Sequence, residues 1–436
     1  MNRFIITANI LLAAIYTSAA PVTFSGSTRS VITDTPTAST GLDAVYILDG
    51  TDGVNVTYTA ASASAPVTWA KFSNAGAAYA VEIPASDISR NGASVTLTAV
   101  DGDTGYAITE TGKTTYFWIV DYSKHTYNVD ALIIEPEQDC DRAFLSIEGS
   151  AGRILYYSIN GRAYDVDRDI TLSYTTLKPI EGAMRYESAT VDEHLQYISG
   201  TINVTAPLCD TYFHISGDRM LRQWGLEREI SSSYYTTQSV SAEVSVEQIK
   251  RTGDNEIKSD ETLGGSAPAE IAFSAIVSDA AIFTEWQFAT DADFEDITFR
   301  TNDLGFTHTF RDMGTNYIRF VAANADGNCQ YFSETFTVYI GESRLLCPNA
   351  FSPGASEGVN DEWKVSYKSI ISFECYIFNR WGQKMAEFHD PSKGWDGKHG
   401  GKLVPAGVYY YVIKAKGSDG KNYNLSGDIN ILRSSR

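Results

Sequence analysis

Hydrophobic and polar residues alternate along much of the chain. Val54, Val56 and Tyr58 are separated by polar partners, as are Val95, Leu97 and Ala99, and again Ile371, Phe373, Cys375 and Ile377. A period of two sends one set of side chains to a buried face and the other to water, which predicts antiparallel strands. Turn dipeptides punctuate these runs. Asn-Gly occurs at 91–92 and 160–161, and Asp-Gly at 49–50, 52–53, 101–102, 326–327, 396–397 and 419–420. Such pairs tolerate positive φ and suit the twist of hairpins. Long stretches of 3.6 period are absent, and one short helix is expected around Asp218 to Trp224. The predicted class is all-β, built as tandem β-sandwich domains.

Composition divides the chain. Residues 21 to about 40 are rich in Ser, Thr and Ala and read as a lead-in or irregular first strand. A first β-sandwich-like domain is expected over 21–125, closing on the strand Thr115-Tyr116-Phe117-Trp118-Ile119-Val120. A second β domain is expected over 126–250, with a hairpin from Tyr156 to Tyr164. The charged, Gly-containing stretch 251–266 reads as a flexible linker. Strands return over 267–342, and a last unit occupies 347–436. At 436 residues, 43% hydrophobic and 20% charged, the chain has enough apolar content for a core in each unit, which excludes global disorder.

Charge sharpens the picture. The net of −20 disfavours nucleic acid as a partner, because such binding neutralises phosphates with Lys and Arg. From Cys347 onward there are 12 Lys and Arg against 9 Asp and Glu, a net of +3, whereas the preceding residues hold 22 against 45, a net of −23. A mildly basic tail on an acidic body suggests that the two meet different partners.

Residues 1–20 read as a secretory signal peptide. Asn2-Arg3 gives a positive start, Phe4 to Tyr16 a largely apolar run, and Thr17-Ser18-Ala19-Ala20 small residues for cleavage. Pro21 disfavours a cut after Ala20 and leaves one after Ala19 as the alternative. The run is too short to cross a bilayer, which takes about 20 residues. No Cys follows it to anchor a lipid, and no transmembrane helix is expected in the mature chain. Five Cys remain for an oxidising compartment. Cys140 and Cys209 lie in one apparent domain and are the expected pair, while Cys375 also reads as a small buried hydrophobe. An odd total leaves at least one thiol outside an intramolecular bond.

The last ninety residues carry four motif blocks in order. The first is Cys347-Pro348-Asn349-Ala350-Phe351-Ser352-Pro353 with a Gly-rich loop to Asn360-Asp361. The second is Asn379-Arg380-Trp381-Gly382, the third Trp395-Asp396-Gly397, and the fourth Pro405-Ala406-Gly407-Val408-Tyr409. This series resembles the gliding-motility-associated C-terminal domain of Bacteroidetes, the type B sorting signal of type IX secretion. The resemblance implies export across the outer membrane to the cell surface or the medium, and the type IX outer-membrane machinery as a partner of 347–436. It assigns the sorting motif to Pro348, Asn349, Phe351, Asn360, Asp361, Asn379, Arg380, Trp381, Gly382, Trp395, Asp396, Gly397, Pro405, Gly407 and Tyr409. The family's acidic Asn-Gly-Asp-Gly loop is thinned here to Gly354-Ala355-Ser356-Glu357-Gly358, which puts any calcium role in doubt. Read as physics, Trp381 and Trp395 are expected to anchor the small core, and Arg380 to cap carbonyls or stack on a Trp. Residues 267–342 resemble a PKD-type sandwich, on Ala272-Phe273-Ser274-Ala275, Glu285-Trp286-Gln287-Phe288 and Asn316 to Asn324, with Trp286 as the buried strand tryptophan. The fold expectation is therefore tandem immunoglobulin-like and PKD-like sandwiches.

Candidate chemistry is sparse. Gly354 to Gly358 fits G-x-S-x-G literally, but Pro353 precedes it and no helix follows, so it is not a nucleophile elbow. Asp165, Asp167 and Asp169 have the first spacings of a calcium loop, yet Ile170 and Thr176 stand where Gly and Glu are needed. The six His show no paired-ligand spacing. No catalytic, metal or cofactor residue is assigned. Tyr156-Tyr157, Tyr234-Tyr235 and Trp224 are candidates for a face that binds a surface glycan or protein. The leading expectation is a non-catalytic adhesin or interaction scaffold. The alternative is a glycan hydrolase or carbohydrate-binding protein with its site in 41–250.

Overall fold

The protein is described by a computed structural model over residues 22–249, 253–259, 262–355 and 358–432. The expected signal peptide lies outside the described residues, as do Ser356 and Glu357. The regular secondary structure of the described residues is almost entirely strand, arranged as sandwiches in chain order.

In the first sandwich, Val22–Ser25, Asn55–Thr59, Ser94–Leu97 and Ile88–Asn91 form a four-stranded sheet. It faces a six-stranded sheet centred on Ala44–Leu48 and Lys113–Asp121, which pair in parallel. Ala44–Leu48 and Phe117–Val120 are buried at every position. Unbroken apolar runs of this kind belong to a sheet covered on both faces. Tyr46, Leu48, Phe117 and Ile119 point into the sandwich core with Trp69 and Tyr106. Val45, Ile47, Trp118 and Val120 point the other way, onto Ile154, Tyr156, Val166 and Met220.

Those last four residues come from the second sandwich. Its sheets are Asn128–Ile134, Arg142–Ser150 and Ile202–Thr205 on one side, and Ala183–Leu195, Ile170–Ile180, His214–Gly217 and Arg228–Ser231 on the other. The expected hairpin forms as Ile154–Tyr157 paired with Ala163–Val166, and it lies on the first sandwich. The expected helix forms as Arg219–Gln223, capped by the Asp218 carboxylate, which accepts from Leu221 N at 3.1 Å. Asp218 also pairs with Arg168 at 2.5 Å, and the two side chains are 0% and 2% exposed. The Arg168 guanidinium donates besides to the carbonyls of Gly152 and His125, and the Tyr122 hydroxyl donates to Asp218. One ionic knot thus fastens the first sandwich to the second.

The third sandwich packs Ala242–Gln248, Ala269–Val277 and Gly305–Phe310 against a sheet of Gly264–Gly265, Phe336–Ile340, Gly314–Ala323, Phe283–Ala289 and Ile297–Thr301, around a fully buried Trp286. Because Ala242–Gln248 pairs along its length with Ala269–Val277, the expected boundary at 250 cuts through this sandwich. The last sandwich holds Ala350–Phe351, Asn422–Ile431, Gly407–Gly417, Ile370–Phe378 and Lys384–Phe388 in one sheet. Its partner layer starts earlier than expected, with Arg344–Leu346 paired to Ser366–Lys368 and Leu345 inside the core. A register shift between Ile370 and Ser372 breaks the expected alternation: Ile370 joins this core, while Ile371 packs onto the third sandwich.

Two expectations need correction. The disulfide is Cys140–Cys329, not Cys140–Cys209. Cys140 lies in the loop before Arg142–Ser150 and faces the third sandwich, so its partner is 189 residues away. Cys209 is buried in the bend that follows Ile202–Thr205, its Sγ 3.7 Å from the Thr175 carbonyl, and stays a thiol. The stretch expected as a flexible linker is, where described, held down. Asn255 Nδ2 donates to the carbonyls of Val365 and Pro391, both at 2.7 Å, and Ile257 N donates to Tyr367 O at 2.7 Å.

The cysteine arrangement gives a direct test. Burial raises the thiols of Cys209 and Cys347 and pushes Cys375 up to about 12. The native protein at pH 8 is expected to alkylate slowly at these positions. Denatured without reductant it should take up three labels, at Cys209, Cys347 and Cys375, and five after reduction. Peptide mapping that finds Cys209 in a disulfide would contradict the structure.

Candidate functional site

The four C-terminal motif blocks fall into two groups in space. Three of them converge on one core. Trp363, between the first and second blocks, donates from Nε1 to Pro348 O at 2.6 Å, and its backbone exchanges hydrogen bonds with Trp395 at 2.9 and 3.0 Å. Trp395 is buried, donates from Nε1 to Lys398 O, and meets Phe351 and Tyr409 at ring distances of 5.6 and 5.1 Å. The Tyr409 hydroxyl donates to Pro405 O at 3.0 Å, which closes the Pro-x-Gly-x-Tyr turn. Asn349 O accepts from Asn430 N at 2.8 Å, and the Asp396 carboxylate accepts from Lys398. At Gly397 a Cβ would come within 3.0 Å of Pro353, on a backbone with φ +71°, so both space and conformation select glycine.

The thinned loop keeps one organising carboxylate. Asp361 accepts from Gly354 N at 2.8 Å and Gly358 N at 2.7 Å, and these amides hold its pKa below the usual carboxylate range. Asn360 beside it has φ +53°, and its carbonyl accepts from Ser352 N. These residues shape the loop by hydrogen bonds within it.

The remaining block behaves differently. The Asn379 carbonyl oxygen Oδ1 accepts from Trp381 N and Gln383 N, both at 3.0 Å, and Gly382 supplies φ +81°. The turn between Ile370–Phe378 and Lys384–Phe388 is thereby fixed, and its two side chains are thrown outward. Trp381 is 75% exposed, which corrects its expected place in the core. Arg380 stacks on it, the guanidinium carbon 4.2 Å from the ring centroid. A groove of about 430 Å³ opens beside this pair, lined also by Lys402, Leu403, Pro405 and Val408.

The other candidates, Tyr234 apart, are used in packing. Tyr156 stacks on Tyr164 and Tyr157 tilts onto Trp118, at 5.6 and 5.5 Å. Trp224 is half-buried between sandwiches, its edge on Tyr122 and its Nε1 on Ser30 O. Tyr235 is buried, but Tyr234 is 54% exposed and forms an edge-to-face pair with Tyr212 at 5.1 Å. Of the aspartates weighed as a calcium loop, Asp165 pairs with Arg153 and Asp169 with His194 and Arg222. Among the described residues, no group of three or more His, Cys, Asp or Glu is placed to hold a metal ion, and no helix is long and apolar enough to cross a membrane. A groove of about 510 Å³ beside the junction of the second and third sandwiches carries Asp141, Lys178 and Glu193 with Tyr174.

Two stretches of the chain match known domain families. Residues 345–431 match the CHU_C Type IX secretion signal domain, and 133–232 match a fibronectin type III domain. The second match falls on the sandwich for which the sequence suggested no family. The chain is an exported modular all-β protein whose secretion signal domain directs it across the outer membrane, to the cell surface or the extracellular space. Among solved structures, a tetra-tandem repeat from the extending region of a large adhesion protein is 14% identical, with 88% of this chain and 97% of that one covered and a TM-score of 0.21. The fibronectin(III)-like modules of Clostridium thermocellum CbhA are 13% identical, covering 44% and 95%, with a TM-score of 0.19. Overlaps this weak carry no argument about function. No curated protein matches the chain.

Proposed function

We propose that this protein is a non-catalytic surface scaffold, delivered by the type IX system, whose acidic body binds a ligand outside the cell. The carrying observation is that the sandwiches ahead of the secretion domain are locked together. A shared apolar core and the bonds of Asp218 to Tyr122 and of Arg168 to the His125 carbonyl join the first two, and the Cys140–Cys329 bond joins the second to the third. Sandwiches fastened to one another in this way hold a binding face in a fixed relation to its point of attachment. In this reading residues 267–342 are a PKD-type spacer, and 343–436 form a folded address read by the outer-membrane machinery. Fusing 343–436 to a signal-bearing reporter in a type IX-competent host tests the address, and a reporter left in the periplasm defeats it. Starting at 343 keeps the strand Arg344–Leu346, which a fusion from 347 would lose.

The groove with Asp141 and Glu193, and the exposed Tyr212–Tyr234 pair, favour a second reading in which the body binds or cleaves a glycan. A glycan array with residues 22–342 discriminates. Retention of an oligosaccharide that is lost in Tyr234→Ala supports glycan binding, and release of reducing ends that is lost in Glu193→Gln supports hydrolysis.

A further inference from the structure

Most of the secretion domain's motif residues are spent on its fold. Arg380 and Trp381 are not, and what surrounds them is chemically one-sided. The groove beside them is lined by Arg380, His399 and Lys402 together with Asn379 and mainly apolar or aromatic side chains, and by no Asp or Glu. Neighbouring cations are neutralised, Lys384 by Glu387 and Lys398 by Asp396. Among the described residues no ion pair occupies Arg380 or Lys402. An exposed Trp held flat by an Arg, with Leu403 and Val408 also exposed nearby, is the composition of an interface anchor rather than of a solvated turn.

We infer that the Arg380–Trp381 hairpin tip and its groove dock onto an acidic, aromatic-accepting pocket of the outer-membrane secretion machinery. This rests on the proposed reading of 343–436 as an address and specifies which part of it is read. Charge identifies the occupant. The residues before Cys347 carry a net of −23, so an acidic receptor repels the body and attracts only the tail, with its net of +3. Such a receptor selects the correct end of its cargo by repulsion as well as attraction. The Asn379 side chain acts as a positioning group, because its bonds to Trp381 N and Gln383 N hold the tip in its presented shape.

The test uses the full chain in a type IX-competent host and compares the periplasmic with the exported fraction. Trp381→Ala and the double variant Arg380→Glu/Lys402→Glu are each expected to lower export about tenfold or more, the effect of losing an interface anchor. Both should melt with the parent protein, since the altered side chains are outside the core, and Trp381→Phe should restore part of the export. Suppose removal of 343–436 strands the protein in the periplasm while both tip variants leave normally. The inference is then overturned and the address reading survives. Normal export of the charge-reversed variant alone would show an apolar receptor and overturn the acidic one. Concentration-dependent dimers abolished by Trp381→Ala, with export intact, would make a second copy the occupant and sink the inference. If removing 343–436 changes nothing, the address reading falls as well.

Discussion

Asp218→Ala is expected to loosen the first sandwich from the second and to destabilise that pair by about 3–5 kcal/mol, the range for removing one partner of a buried ion pair. The carboxylate is 0% exposed and serves three groups at once: the Arg168 guanidinium, the Tyr122 hydroxyl and the amide of Leu221. Its loss leaves a guanidinium charge in a site with 2% exposure and uncaps Arg219–Gln223, which itself is worth about 1 kcal/mol. The helix carries Met220 into the shared core, so fraying there reaches Trp118 and Val120. Calorimetry should show the transition of these two sandwiches moving down while that of the C-terminal domain stays. Replacing both partners with apolar residues, Arg168→Met with Asp218→Leu, should recover much of the loss, because no unpaired charge remains. An Asp218→Ala protein that melts with the parent would refute the role given to this pair.

Trp363→Ala should unfold the C-terminal domain and abolish export together. The side chain is 0% exposed, lies 5.2 Å from the Tyr411 ring, and bonds Pro348 through Nε1. Truncating a buried Trp costs about 3–5 kcal/mol. A domain of this size has a total stability of about 5–10 kcal/mol, so most of its margin goes. Near-UV circular dichroism of the isolated protein and periplasmic accumulation in the host should change in parallel. Trp381→Ala supplies the contrast, with export lost and the near-UV fold signal of the core retained. A Trp363→Ala protein that is exported at the parental level would show that the address is not a folded shape.

The alternation of apolar residues made the strands legible, and the Asn-Gly and Asp-Gly pairs marked their turns. Gly53, Gly92, Gly161, Gly327, Gly397 and Gly420 do take positive φ, whereas Gly50 and Gly102 do not. Gly102 serves another purpose, since a Cβ there would come within 2.3 Å of the Asp121 side chain. What stayed hidden was long-range. The run Thr115–Val120 was legible as a closing strand, but nothing local said that Ile154, Tyr156 and Met220 would cover its second face. Cys140 gave no sign of reaching past its own sandwich to Cys329. In the secretion domain the motif blocks were visible, yet their division into core and display was not. Trp381 and Trp395 are both followed by turn glycines, and only the tertiary fold buries one and presents the other.

The short run 253–259 has a consequence for proteolysis. It leaves the chain ahead of most of the third sandwich and lies against the C-terminal domain, with Asn255 bonded to Val365 and Pro391, Ile257 to Tyr367, and Asp254 paired with Lys364. Ser266 and Ser369 add a second clasp. A nick between Gly341 and Arg344 would therefore break the covalent path without freeing either piece. The two fragments should co-elute in native buffer and part only in denaturant, so trimming at the surface need not mean shedding.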